Sequence, residues 1–422
     1  MRSIPFKSLT REPRAWVLAA FVLAALIGVG WGMPGTDSWA ADTLSPRSSG
    51  LAAFVESYTP GHFNHYPPLH YLVLTLLSLP WILAGVAHAG SGTAAIETEL
   101  IEPVYMTGIE LTARVVAVVM AAFVVWNTMR LWTRLLGARG GLAAGVVVGV
   151  NAVFVYYAHT GNLEVPYLFW STWALVEIDR VIEGEAREPH ALLLATAAVL
   201  TKDQAAGIFL LTLPMALLLV RPKEILRRPL WKGAALSALL YALVSGAIVN
   251  PSGFARRIAH LVGPASQDWA KYPKGAAGTA AILRDAFLAT PHFTSWPIAL
   301  AAAAGVGLVV TRRSGKDRLR ALVPLVSAVS FTIFFTFGAR QTEDRFILPQ
   351  SILLFPYAAV TFELLASNAK ARSVLVAATL VALAPALLGV ASMDATLLFD
   401  ARYEAERFLL SLPAATKVEV YG

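Results

Sequence analysis

Residues 109–129 read IELTARVVAVVMAAFVVWNTM. As a helix rising about 1.5 Å per residue, such a run crosses the roughly 30 Å of a bilayer's hydrocarbon core. Comparable runs recur at 15–31, 141–157, 163–180, 189–200, 203–220, 233–249, 295–311, 321–337, 348–365 and 373–391. A soluble fold of this size would not carry so many in succession, and the chain is 57% hydrophobic with a mean hydropathy of +0.61. The sequence therefore predicts an all-α integral membrane protein, a multispan helical bundle. It contains no cysteine, which excludes structural disulfides and thiolate chemistry.

The formal charge of +7 reads as a topology signal before it reads as a nucleic-acid footprint. Lys and Arg gather in short loops at 1–14, 130–140, 181–188, 221–232, 312–320 and 366–372. Placing all of these in the cytoplasm makes the eleven runs alternate, with the chain from 392 outside. The first run reads as a retained signal anchor, because Gly32-Met33-Pro34-Gly35 is a poor cleavage site. Residues 67–88 break the count, since a crossing there would put every later basic loop outside. The following loop carries Glu97, Glu99 and Glu102 with no Lys or Arg, which suits the outer side. We therefore read 67–88 as a juxtamembrane or re-entrant element interrupted at Pro80, with a twelfth span as the alternative. No domain boundary is visible within 1–391. The remainder, 392–422, reads as a short outer segment: a helix around 403–409, then a first strand of a soluble domain near 417–421.

On this map polar residues converge on the outer side, where ionisable groups beside hydrocarbon need partners or a function. Asp37 and Asp42 follow the first run, with Glu56, His62, His65, Tyr66 and His70 further along the same loop. Tyr157, His159, Asn162 and Glu164 mark a polar break before a run opened by Pro166. Thr201-Lys202-Asp203-Gln204 forms a polar tip, and the loops at 250–294 and 340–345 add Arg256, Arg257, Lys271, Lys274, Arg340 and Arg345. Structural alternatives stand beside each candidate. Asp37 or Glu164 could cap a helix, Lys202 could snorkel, and Arg114 could pair inside the bundle. Tyr66-Pro67-Pro68 could be only a rigid entry to the next element. His62, His65 and His159 could form a divalent-metal site with Asp37 or Glu164, but no ligand spacing is diagnostic, so a metal is unsupported and no cofactor is expected. No glycine-rich loop follows a strand pattern, which leaves direct use of a sugar nucleotide unsupported.

These residues, taken in order, resemble the GT-C superfamily of polyprenyl-phosphate-dependent glycosyltransferases, particularly the protein mannosyltransferase and aminoarabinose transferase group. The resemblance lies in Asp37 after the first run, Tyr66-Pro67-Pro68-Leu69, Arg114, Gly161-Asn162-Leu163-Glu164-Val165-Pro166, Thr201-Lys202, and Asp344-Arg345-Phe346-Ile347-Leu348-Pro349. It implies a GT-C type bundle with outer-face juxtamembrane helices in the plasma membrane. It also implies inverting transfer of a sugar from an undecaprenyl- or dolichyl-phosphate donor to an acceptor glycan, lipid or protein at the outer face. Asp37 would be the general base, supported by Glu164. Lys202, Arg345, Arg340 and Arg114 would meet the lipid phosphate, and Tyr66, His65, His159, Asn162 and Asp42 would line the acceptor side. The leaving group is already a stable phosphate anion, so cations can stand in for a general acid. The reading from another class is a transporter or flippase, but its broken helices would sit at mid-depth in paired repeats. Here the polar breaks cluster at one face and no repeat is evident.

Overall fold

The computed structural model describes residues 13–33, 51–219, 228–263, 267–367, 372–413 and 416–418, and every regular element among them is helical. In chain order these are α1 (Pro13–Leu26), α2 (Leu51–Tyr58), α3 (Leu69–Leu77), α4 (Leu79–His88), α5 (Thr93–Leu100), α6 (Pro103–Leu136) and α7 (Ala138–Gly149). There follow α8 (Ala152–His159), α9 (Glu164–Glu183), α10 (Glu188–Thr201), α11 (Ala206–Pro214), α12 (Arg228–Val244), α13 (Pro251–Val262), α14 (Ala276–Leu288) and α15 (Thr290–Phe293). The last are α16 (Trp296–Arg312), α17 (Gly315–Ala339), α18 (Asp344–Ala366), α19 (Arg372–Leu398) and α20 (Arg402–Ser411).

Among the described residues α6, α17, α18 and the stretch Ala377–Ser411 are each long and apolar enough to cross a membrane. Three bent pairs qualify as units: α3 with α4 at 61°, α7 with α8 at 65°, and α14–α15 with α16 at 120°. The protein is thus an integral membrane helical bundle. Its bends have local causes. Pro80 stands in the first turn of α4, where its missing N–H cannot continue the ladder of α3, and the chain turns at Ser78. The run 141–157, expected as one helix, breaks at Asn151. That side chain caps α8 by accepting from Phe154 N at 3.0 Å and donates to Ser351 Oγ at 2.9 Å, so two buried hydrogen bonds compensate the lost helical ones.

The core lies where α6 packs against α7 and α9, α9 against α10, α11 against α17, and α16 against α18. Trp132 meets Tyr357 edge to face at 4.9 Å, and the buried Tyr357 hydroxyl donates to Ala321 O at 2.5 Å. Small residues let backbones approach. A Cβ on Gly305 would collide with the Tyr357 carbonyl, so α16 can lie this close to α18 only with glycine there.

Where α6 and α9 end and α17 begins, a buried ion network binds the three. Asp179 is fully buried and accepts from Arg134 Nε at 2.6 Å and Arg320 Nε at 2.7 Å. Arg320 Nη1 reaches Glu183 at 2.9 Å, and Arg134 also pairs with Glu183. Just beyond it, the hydrogen bond from Arg180 holds the Glu185 carboxyl below its usual range.

We propose from the loop charges that this end faces the cytoplasm. Cysteines introduced singly at Lys271 and Thr93 should react with an impermeant thiol reagent in intact cells, and one at Ser314 should not. Labelling at Ser314 without Lys271 would invert the map, whereas protection at Thr93 alone would make α3–α4 a crossing.

Candidate active site

The opposite end of the bundle holds the polar tips. Gly161, at φ +64°, makes a left-handed turn that an L side chain would strain, and α9 then starts at Glu164. Across from it α10 stops at Thr201. Lys202 is extended, at φ −154° and ψ 123°, and a short 3₁₀ turn, Asp203–Ala205, leads into α11. This tip brings the Lys202 ammonium onto Glu164 Oε1, both side chains being buried. Glu164 therefore serves as an ion-pair partner, and no side chain caps α9. The same ammonium lies 5.4 Å from the centre of the Tyr66 ring, a cation–π contact. Tyr66, Glu164 and Lys202, widely separated in sequence, are thus one cluster. One buried polar atom of the cluster, Glu164 Oε2, has no hydrogen-bond partner, and the buried Tyr167 hydroxyl and Gln204 amide lie beside each other next to it.

Beside Lys202, Asp203 pairs with Arg257 of α13. The guanidinium is 4% exposed, and its Nε and Nη1 are buried without a partner. Unmet N–H donors in such a place cost about 1–3 kcal/mol each, and each is a charge-assisted donor suited to an oxyanion. The four charges Glu164, Lys202, Asp203 and Arg257 cancel. A ligand arriving here therefore meets surplus donors rather than surplus charge.

The other candidates take separate positions. Arg114 is buried, with Nη2 on Glu110 at 2.5 Å and Nη1 on the carbonyls of Val29 and Trp31 at 2.7 and 2.6 Å, which leaves only its Nε without a partner. His159 is buried, with Nδ1 on Val155 O at 2.6 Å and Nε2 facing Asp394 Oδ1 at 3.7 Å, while Asn162 is buried nearby. Arg340 adopts left-handed backbone (φ 52°) and straps the 267–272 loop by donating to Tyr272 O at 3.0 Å and Gln267 Oε1 at 2.8 Å. Arg345 lies on Glu343 at 3.0 Å and over the Phe346 ring at 4.8 Å. His65 packs on His260 of α13, ring centres 4.6 Å apart, and His260 is held below its ordinary value by burial first and then by His65. Asp37 and Asp42 lie outside the described residues, as do 419–421 of the expected strand. Among the described residues, no three His, Asp or Glu side chains gather as a metal-binding group.

Arg257 was not among the phosphate contacts expected from the sequence, although its signal is there. Phe254, Arg257, Ile258 and Leu261 recur at helical spacing, which puts this arginine on the inward face of α13 while Arg256 stays exposed. A lone charge on an apolar stripe is the pattern to look for.

No protein-family model matches the sequence, and no curated protein matches it. Solved structures do match in fold. ArnT from Cupriavidus metallidurans bound to undecaprenyl phosphate superposes with a TM-score of 0.62 at 14% identity, covering 95% of this chain and 81% of that one. The Archaeoglobus fulgidus oligosaccharyltransferase in complex with Zn and sulfate gives 0.53 at 13%, covering 93% of this chain and 55% of that one. Tethered to an acceptor peptide containing the NVT sequon, the same enzyme gives 0.54 at 12%, covering 95% and 59%. This chain thus spans little more than half the length of the archaeal enzyme. The fold is the all-α multispan bundle of GT-C type.

Proposed function

We propose that this chain is a membrane glycosyltransferase that moves a sugar from a polyprenyl-phosphate donor to an acceptor at the Lys202–Arg257 end of the bundle, facing the cell exterior. The observation that carries this reading is Arg257, a buried guanidinium with unmet donors, set beside the Tyr66–Lys202–Glu164 cluster in a GT-C type fold. The match to a bundle that holds undecaprenyl phosphate supports the choice of donor.

In the proposed step the acceptor oxygen or nitrogen bonds to the anomeric carbon from the face opposite the phosphate, so configuration inverts. The bond from that carbon to the phosphate oxygen breaks and its electron pair leaves on the phosphate. Asp37 takes the acceptor's proton, and Arg257 with Lys202 receives the charge that develops on the departing oxygen. Glu164 orients the Lys202 ammonium. No acid is needed to protonate the leaving group, unlike in most glycoside hydrolases.

Arg257→Gln removes the guanidinium and leaves a shorter, uncharged amide. Its kcat/KM for the lipid donor should fall about tenfold or more, roughly 1.4 kcal/mol of transition-state stabilisation. Unchanged donor kinetics would take Arg257 out of the site and return the phosphate to Arg345.

A further inference from the structure

The N-terminus of α13 is pinned by one side chain. Asn250, 1% exposed, accepts from Gly253 N at 3.0 Å as the helix cap and from Gly61 N at 3.1 Å. Its amide donates to His62 O at 2.8 Å and Ser57 O at 3.3 Å. One buried amide thus uses both its oxygen and its nitrogen to join α13 to residues 57–62, the stretch that leads into Tyr66. The joint is close packed: a Cβ on Gly253 would collide with the His62 carbonyl, and one on Gly246 with that of Ser57. Further along α13, Arg256 lies over Gly61, and His260 packs on His65 and Phe63. The face of α13 turned to this loop decides where its other face points, and that face carries Arg257 to Asp203. Contacts therefore close a ring from Asn250 through loop 57–66 to Tyr66, across to Lys202 and Asp203, and back through Arg257 to α13.

We propose that Asn250 is a positioning residue that sets the Arg257 guanidinium against the phosphate of the lipid donor by locking α13 to the loop bearing Tyr66. This rests on the phosphate-binding role proposed above for Arg257. A plain helix cap would need only the oxygen, and serine supplies that equally well. The two donor bonds to loop carbonyls are what a cap does not require.

Asn250→Ser separates the two roles, since it keeps a cap acceptor and loses both amide N–H donors, its shorter hydroxyl offering at most one. Binding of undecaprenyl phosphate to the purified full chain should weaken about tenfold, with the melting temperature near that of the parent. Arg257→Gln should weaken it similarly. The double variant should be within about twofold of Arg257→Gln alone, because residues acting through one contact are not additive. Parent-like binding in Asn250→Ser, or penalties that multiply in the double variant, would overturn the proposal. Parent-like binding in Arg257→Gln would overturn the phosphate site itself, and with it anything for Asn250 to position. If Asn250→Ser does not fold, Asn250→Asp carries the same cycle, as its carboxylate also caps α13 and also lacks the donors.

Discussion

Asp37→Asn is expected to lower turnover by about 10²–10⁴-fold, the usual cost of losing a general base, while undecaprenyl-phosphate binding and melting temperature stay at parent values. The substitution keeps size and hydrogen-bonding shape and removes only the capacity to take a proton from the acceptor. The prediction rests on the position of Asp37 in the sequence, directly after the first apolar run, since the residue lies outside the described ones. If Asp37 were only a helix cap, asparagine would serve as well. Asp37→Ala would then lower stability by about 1 kcal/mol and leave turnover intact. Recording turnover, lipid binding and melting together on both variants separates these outcomes. Normal turnover in Asp37→Asn would end its candidacy and move the search to Asp42.

The second large effect is expected at the other end of the molecule and on stability alone. Asp179→Asn leaves the buried Arg320 over a neutral amide with Glu183 as its remaining partner, while Arg134 keeps Glu183 and, at 3.5 Å, Glu185. Removing one member of a buried ion network typically costs about 3–5 kcal/mol, because the remaining charge has been taken out of water without compensation. The melting temperature in detergent should drop sharply, while kcat per folded molecule at permissive temperature should not change. Replacing Asp179 and Arg320 together by Leu and Met should recover much of the loss, since removing both partners abolishes the desolvation cost along with the attraction. A single variant that melts like the parent would show that water reaches Asp179 freely and that the network is not what joins α6, α9 and α17.

The comparison between residues and structure is clearest at particular places. The run 109–129 is helical throughout, inside α6, because transfer of an apolar segment into hydrocarbon is a sum over its own residues. The run 141–157 is likewise apolar but bends by 65° at Asn151, whose amide finds Ser351, a partner 200 residues away. Polar residues at run ends were legible as candidates, but their pairings were not. Lys202 finds Glu164 across 38 residues, and Arg257 finds Asp203 across 54. Arg340, a phosphate candidate by charge and loop position, is spent on strapping the loop of Tyr272.

The sequence by itself determined that this is an all-α membrane protein and which short polar stretches interrupt its apolar runs. Both are properties of consecutive residues, and the cost of placing each in lipid is paid locally. Only the tertiary structure decided which charges neutralise one another and which keep unmet donors. Arg114 closes on Glu110, Lys202 closes on Glu164, and Arg257 retains two nitrogens without partners. The physical reason is that a buried charge takes its character from what packs around it: Arg114 is tied through two nitrogens to three acceptors of the bundle, whereas Arg257 is tied through one nitrogen to a single carboxylate.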